Sequence, residues 1–412
     1  MNPSAAALTA RRRVWALTWL GYASLYLARK NWSVVKPRVR DALGLGLGDL
    51  AFIDTAYLLT YALGQFVAGL IGDRIGARRL MGLGALGVAV ATACFGASSG
   101  LTFFALSFAL NGLAQASGWP GATRAMAAAT DPAHRGAVMG WWATCYQAGG
   151  IASTSLAAWL LGRYGWRSAF TVPAALIAVM GVALLVAMPD LDRGGANSTA
   201  GGAPPEGPEA LRAARRAVLG NPLVWRYGAA YAAIKLIRYS LLFWLPFYLR
   251  EGLRFDETVA GYLSNSFELG GVVGTIAFGA LTDRVRVLSR AQWSALSLAA
   301  LGLALVLYAQ VSSLGVAANF AAMALVGALL FGPDTVLSGC AAQDLGGPLA
   351  AATAAGFVNG MGSLGAIAQG LFTVKLRAAY GWQGVFVGFV VLSLVGAGCL
   401  LVGPRNGPAP KT

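Results

Sequence analysis

Stretches of about 20 apolar residues recur along this chain, and a run of that length is what a helix needs to cross a bilayer. Twelve can be read, at 14–36, 50–72, 80–99, 101–128, 136–162, 168–188, 223–250, 259–282, 290–310, 313–340, 350–378 and 383–403. Hydrocarbon offers the backbone no hydrogen-bond partner, so only helices and closed barrels span it. These runs are continuously apolar rather than alternating, which excludes barrel strands. A chain 57% hydrophobic and only 11% charged agrees. The expectation is an all-α polytopic membrane protein with twelve transmembrane helices.

A net charge of +15 raises the question of nucleic acid, and the distribution of the charge answers it. Arg11, Arg12 and Arg13, Arg74, Arg78 and Arg79, the 193–216 loop, and Arg284, Arg286 and Arg290 share one side of the membrane with both termini. The positive-inside rule makes that side cytoplasmic, although Lys36, Arg38, Arg40, Arg163 and Arg167 fall opposite. The excess charge reads as topology, so the bilayer is the expected partner and nucleic acid is not. "SAAALTA" precedes the basic cluster instead of following an apolar core, so no cleavable signal peptide is expected. Cys94, Cys145, Cys340 and Cys399 sit in apolar spans without metal-ligand spacing and read as packing residues. No metal or cofactor is expected. The single histidine, His134 in "DPAHRG", reads as a surface residue.

The chain repeats itself. Tyr22, Tyr26 and Arg29 match Tyr231, Lys235 and Arg238 at an offset of 209; Asp73 matches Asp283 at 210, Pro120 matches Pro333 at 213, and Tyr164 matches Tyr380 at 216. Ordered matches with a slowly growing offset point to two six-helix bundles, 1–188 and 223–412. The Gly- and Pro-rich segment 189–222 reads as a cytoplasmic linker with a short helix at 208–218. Six helices plus six in parallel repeat is the plan of the major facilitator fold, whose site lies near mid-membrane between pseudosymmetric halves. "GLIGDRIGARR" resembles the signature loop between helices 2 and 3 of that superfamily. Asp73 and Arg74, with Asp283 in the second half, are therefore expected to gate by charge pairing at helix ends.

Arg29 and Arg238 both lie inside apolar spans, where a charge is costly and marks function by default. On regular helices, Tyr22, Tyr26 and Arg29 share one face, as do Tyr231, Lys235 and Arg238. Two guanidinium forks suit a phosphate dianion, each able to bind it in bidentate fashion, with Lys235 as a third positive charge. The competing reading is structural pairing with Asp54, Glu268 or Asp334. Glu268 is expected to pair with Lys30 or Lys235 instead, leaving cationic excess on the cavity. Tyr57, Tyr61 and Gln65 form one face of helix 2. Trp119 precedes Pro120, where a kink is expected. Tyr146 and Gln147 on helix 5 and Asn359 on helix 11 complete the expected lining.

At these residues the chain resembles the organophosphate:phosphate antiporter family of major facilitators. The matching segments are "YLARKNWSVVKPRV", "DTAYLLTYALGQFVAGLIGDR", "GLAQASGWP", "KLIRYSLLFWLPFYL", "FELGGVVGT" and "AAGFVNGMGSLGAIAQG". The resemblance implies that Arg29 and Arg238 bind a phosphoryl group, with Tyr22, Tyr26, Tyr61 and Trp119 lining the site. It also implies exchange of an organophosphate for inorganic phosphate by alternating access. A monomer in a bacterial-type inner membrane is expected, and the sequence offers no metal-ligand cluster, nucleophile–base pair or phosphate-cradling loop, so no enzymatic activity is expected. Gln65 and Gln147 stand where the bacterial glycerol-phosphate pattern has lysine and histidine, Lys235 replaces a tyrosine, and Phe243 an aspartate. Two rivals stay open: a carrier of another organic anion such as a carboxylate, and a non-transporting sensor, against which the short termini count.

Overall fold

The computed structural model describes residues 5–191, 208–255, 257–285, 287–312 and 314–401; most of the expected linker, Arg286 and the last eleven residues lie outside them. Every regular element among the described residues is helical. They fall into two compact units.

Unit 1 comprises Met1–Pro132, Trp142–Gly220 and Gln343–Gly360. Its first expected span is built in pieces: α1 (Ala5–Leu25), a 3₁₀ turn over Tyr26–Ala28, and α2 (Asn31–Leu43). Then follow α3 (Leu47–Ile75), α4 (Ala77–Ala97), α5 (Leu101–Gln115) and α6 (Gly118–Ala129). The break between α5 and α6 falls at Ala116–Ser117, one turn before Pro120. The proline thus sits in the first turn of α6, where its missing N–H costs little, and the expected kink is displaced rather than centred on it. Gly76 turns α3 into α4 with φ 81°, a conformation that L side chains avoid. Beyond α7 (Arg135–Trp142), the unit continues with α8 (Thr144–Tyr164), α9 (Ser168–Ala187) and α10 (Pro208–Gly220). Arg167 closes the end of α4 by donating to the carbonyls of Gly96 and Ser98 at 2.9 and 3.0 Å. Trp32, Phe95, Phe104, Phe108 and Phe170 form an aromatic core beneath.

Unit 2 comprises Ala133–Trp141, Asn221–Ala342 and Met361–Thr412. Its helix α11 (Pro222–Glu251) starts from an Asn221 side chain that accepts the Leu223 N–H, with proline at the first helical position. After α12 (Glu257–Arg284), a Ser289/Gln292 capping box opens α13 (Arg290–Val311), followed by α14 (Val316–Ser338). Helix α12 meets α14 with almost no space for side chains. A Cβ on Gly270, Gly274 or Gly327 would lie 1.8–2.2 Å from a carbonyl oxygen of the facing helix. The last element, α15 (Cys340–Leu401), is one hydrogen-bonded run carrying left-handed glycines at 347 (φ 56°) and 381 (φ 66°). Gly347 falls between the expected spans 313–340 and 350–378, and Gly381 between 350–378 and 383–403.

Five described helical runs are long and apolar enough to cross a membrane: Phe52–Ile75, Ala77–Ala97, Ser168–Ala187, Arg290–Val311 and Val316–Leu401. Several other expected spans are divided into separate helices, at Tyr26–Ala28, Ala116–Ser117 and Ala143. Outer faces carry large apolar side chains in the open, among them Phe103, Val179 and Val186 at 66–78% exposure, as a lipid-facing surface requires.

Candidate functional site

In unit 1 the chain breaks helical register at its arginine. Arg29 follows the 3₁₀ turn, and its N–H and that of Lys30 both reach the Tyr26 carbonyl at 3.0 Å. The smooth helical face expected for Tyr22, Tyr26 and Arg29 is therefore corrected. A 3₁₀ turn eclipses residues i and i+3, and this is what brings the Arg29 guanidinium over the Tyr26 ring. Its Cζ lies 5.6 Å from that ring centroid, 5.7 Å from Tyr57 and 4.9 Å from Tyr61. Each such ring stabilises a desolvated cation by about 0.5–2 kcal/mol. Tyr57 and Tyr61 come one turn apart from α3 and stack at 5.8 Å.

The rest of the aromatic set converges on the same place. Tyr22 packs against Tyr26 (6.0 Å) and edge-on to Trp119 (5.6 Å), while Tyr26 stacks on Tyr146. Trp142, which the sequence reading did not single out, closes the triangle with Tyr22 and Trp119 and donates its Nε1–H to Thr18. Gln65, one turn beyond Tyr61, is fully buried, and neither end of its amide finds a partner among the described residues; the same holds for the Gln147 amide. Orphan amides of this kind are rare in a finished core and suit a site that holds water or a ligand. Asn359 is buried on the α15 segment belonging to this unit. Lys30 is half-buried, its stem beside Gly150.

In unit 2, α11 runs unbroken, so Tyr231, Lys235 and Arg238 do share a face. Lys235 Nζ sits over the rings of Tyr231 (5.2 Å) and Tyr239 (5.4 Å), one turn to either side. Arg238 Nη1 donates to Asp334 Oδ2 at 2.8 Å, and its Cζ lies 4.2 Å over Phe331. For Arg238 this is the carboxylate pairing that the competing reading allowed. Glu268 is half-buried on α12, and the two other candidate carboxylates take different cations. Asp334 takes Arg238, and Asp54 takes Lys36 at 2.6 Å and Trp32 Nε1 at 2.7 Å. The sequence offered Asp334 as a candidate partner, but residues 96 apart carry no local signal of which cation they meet.

The signature aspartates act at backbone amides as well as arginines. Within unit 1, Asp73 accepts from Ala352 N and Thr353 N at 3.1 Å each, from the Thr353 hydroxyl, and from Arg124 Nη1 at 2.9 Å. Arg215 Nε lies 3.7 Å away; burial pulls that guanidinium below its usual pKa while Asp73 opposes the shift. Arg74 itself is exposed. Within unit 2, Asp283 accepts from Gly136 N (3.0 Å), Ala137 N (2.7 Å) and Arg290 Nη2 (2.9 Å), which places a negative charge on the first turn of α7. Arg124 lies one turn beyond Pro120, whose match with Pro333 marks the repeat, so a signal was present; Arg215, in the linker helix, offered none. His134 is exposed.

Residues 18–370 match the family model of the Major Facilitator Superfamily. The chain is 30% identical to the membrane sensor protein UhpC of Salmonella typhimurium, covering 97% of this chain and 93% of that one. It is 30% identical to putative glycerol-3-phosphate transporter 1 of Arabidopsis thaliana (93% and 86%) and 31% identical to sugar phosphate exchanger 3 of Xenopus laevis (90% and 81%). Its fold is like that of the human organic anion transporter MFSD10, with a TM-score of 0.71 over 95% of this chain and 99% of that one at 19% identity. The chain belongs to the major facilitator superfamily: it is an integral multi-pass helical membrane protein of a transporter family, and not an enzyme.

Proposed function

We propose that this protein carries an organophosphate of sugar-phosphate, glycerol-phosphate or phosphoglycerate type across the membrane and exchanges it for inorganic phosphate by alternating access. The observation that carries this reading is Arg29: a guanidinium inside an apolar span, at a helix break, walled by three tyrosine rings. The rings compensate the desolvation of a cation placed at this depth, and a guanidinium is a suited ligand for an oxyanion. Arg238 is its repeat-mate and the second phosphoryl ligand. Gln65, Gln147 and Asn359 supply hydrogen bonds to the organic part, and Lys235 attracts a further acidic group. Asp73, Arg124, Asp283 and Arg290 gate, each aspartate holding backbone amides together with an arginine. Two of the relatives are named as carriers of glycerol 3-phosphate or sugar phosphate, which supports the substrate class. The working unit is a monomer in a plasma membrane of bacterial type, with its basic loops and both termini on the cytoplasmic side.

A second reading has one observation in its favour, the likeness to a relative named as a membrane sensor. Counterflow separates the two. Proteoliposomes loaded with phosphate should accumulate labelled phosphate, and glycerol 3-phosphate, hexose 6-phosphates or phosphoglycerates should compete where dicarboxylates do not. Binding of a sugar phosphate without any counterflow would replace the transporter reading by the sensor reading, and competition by dicarboxylates alone would replace the substrate class.

A further inference from the structure

We propose that Asp334 is a built-in counter-anion for Arg238, which a phosphoryl ligand must displace and which lets the unloaded carrier cycle without an anion in exchange. The inference rests on the phosphate-carrying reading above and deepens it. Helix α14 presents two groups to one guanidinium: the ring of Phe331 at 4.2 Å and, three residues on and so on the same face, the Asp334 carboxylate at 2.8 Å. Both side chains of the pair are nearly dry, 12% exposed for Arg238 and 4% for Asp334. The contact is nevertheless incomplete, because Asp334 Oδ1 is buried and has no hydrogen-bond partner among the described residues. A carboxylate placed as a structural strut would use both oxygens, since an idle buried acceptor costs free energy. A phosphoryl group carries more charge and more acceptors and can engage the guanidinium fork in bidentate fashion, so it is the stronger ligand.

This carboxylate has no counterpart at the matching position of the first half. At the offset of 213 that aligns Pro120 with Pro333, the residue matching Asp334 is Gly121. In unit 1 the matching arginine meets tyrosine rings. A bare cation resists moving through a low-dielectric path until an anion neutralises it, whereas an ion pair does not. Asp334 consequently weakens phosphate binding by competing for Arg238, and in return permits net flux.

The test measures phosphate and sulfate binding by isothermal titration to the purified wild type, Asp334→Asn and Asp54→Asn. It also measures phosphate efflux from proteoliposomes into media with and without external phosphate. Asp334→Asn should bind phosphate about tenfold more tightly, and its ratio of net to exchange efflux should fall about fivefold or more. Asp54→Asn, which removes a carboxylate paired with Lys36, should leave affinity unchanged. A purely structural aspartate would never tighten binding when removed. Affinity unchanged or weakened in Asp334→Asn, or an unchanged ratio, overturns the inference. If that variant does not fold, the wild type decides: net efflux below about a tenth of exchange overturns it, and a higher ratio supports it. A wild type that binds phosphate but exchanges no organophosphate defeats the functional reading alone, while absence of phosphate and sulfate binding in every variant defeats both.

Discussion

Replacing Asp73 by Asn tests the gate at its most buried charge. The Asp73 side chain is 0% exposed and Arg124 only 7%, with 2.9 Å between Nη1 and Oδ1. The amide is the same size but loses the charge, and its NH₂ end meets N–H donors whichever oxygen it replaces: Arg124 and Ala352 at Oδ1, Thr353 at Oδ2. Taking one partner from a buried ion pair strands the other, at a cost of about 3–5 kcal/mol. Most of that penalty belongs to the stranded guanidinium, so adding Arg124→Gln should return part of it. Asp73→Asn/Arg124→Gln should then show a coupling of about 2 kcal/mol against the two single variants. Unfolding in mixed micelles, followed by the fluorescence of the 12 tryptophans, reads these differences. Asp283→Asn should cost less, because its partner Arg290 is 17% exposed and better hydrated. A loss below about 1 kcal/mol for Asp73→Asn, or strict additivity in the double variant, would refute the claim that this carboxylate neutralises a buried arginine.

Two further outcomes follow from distances. Tyr61→Ala removes the ring nearest Arg29 and should raise the KM for phosphate about fivefold, while Tyr61→Phe keeps the ring face and should change it less than twofold; exchange kinetics in proteoliposomes distinguish them. Gly327→Val places a branched side chain where even a Cβ would be 2.0 Å from the Phe267 carbonyl, so α12 and α14 must separate. The variant should lose monodisperse folded protein on size exclusion, in line with overpacking costs of about 3 kcal/mol or more.

The helical architecture was legible because membrane solvent imposes long apolar runs, and the repeat because Pro120/Pro333 and Asp73/Asp283 recur in order. The break at Tyr26–Ala28 was not. No proline or glycine marks it, and the segment reads as a regular amphipathic face, so register was lost where packing prevailed over local pattern. Arg29, Tyr26, Tyr61 and Trp119 stood out as candidates because a charge with aromatics at depth is improbable without a reason, and the fold brings them together. The partner of Arg238 was harder. Asp334 and Glu268 are both single acids within apolar helices, and only the packing of α11 beside α14 decides which one reaches the guanidinium. Arg215 was invisible for a different reason: a basic residue in a polar linker helix looks like any solvated charge until the helix docks.

The central claim is that Arg29 and Arg238 both bind the phosphoryl group, and self-exchange of labelled phosphate in proteoliposomes bearing Arg29→Lys or Arg238→Lys tests it most directly. Lysine keeps the charge but gives up the planar fork, so each variant should lose exchange by at least about 100-fold while remaining folded. Exchange at the wild-type rate in both variants would contradict the account.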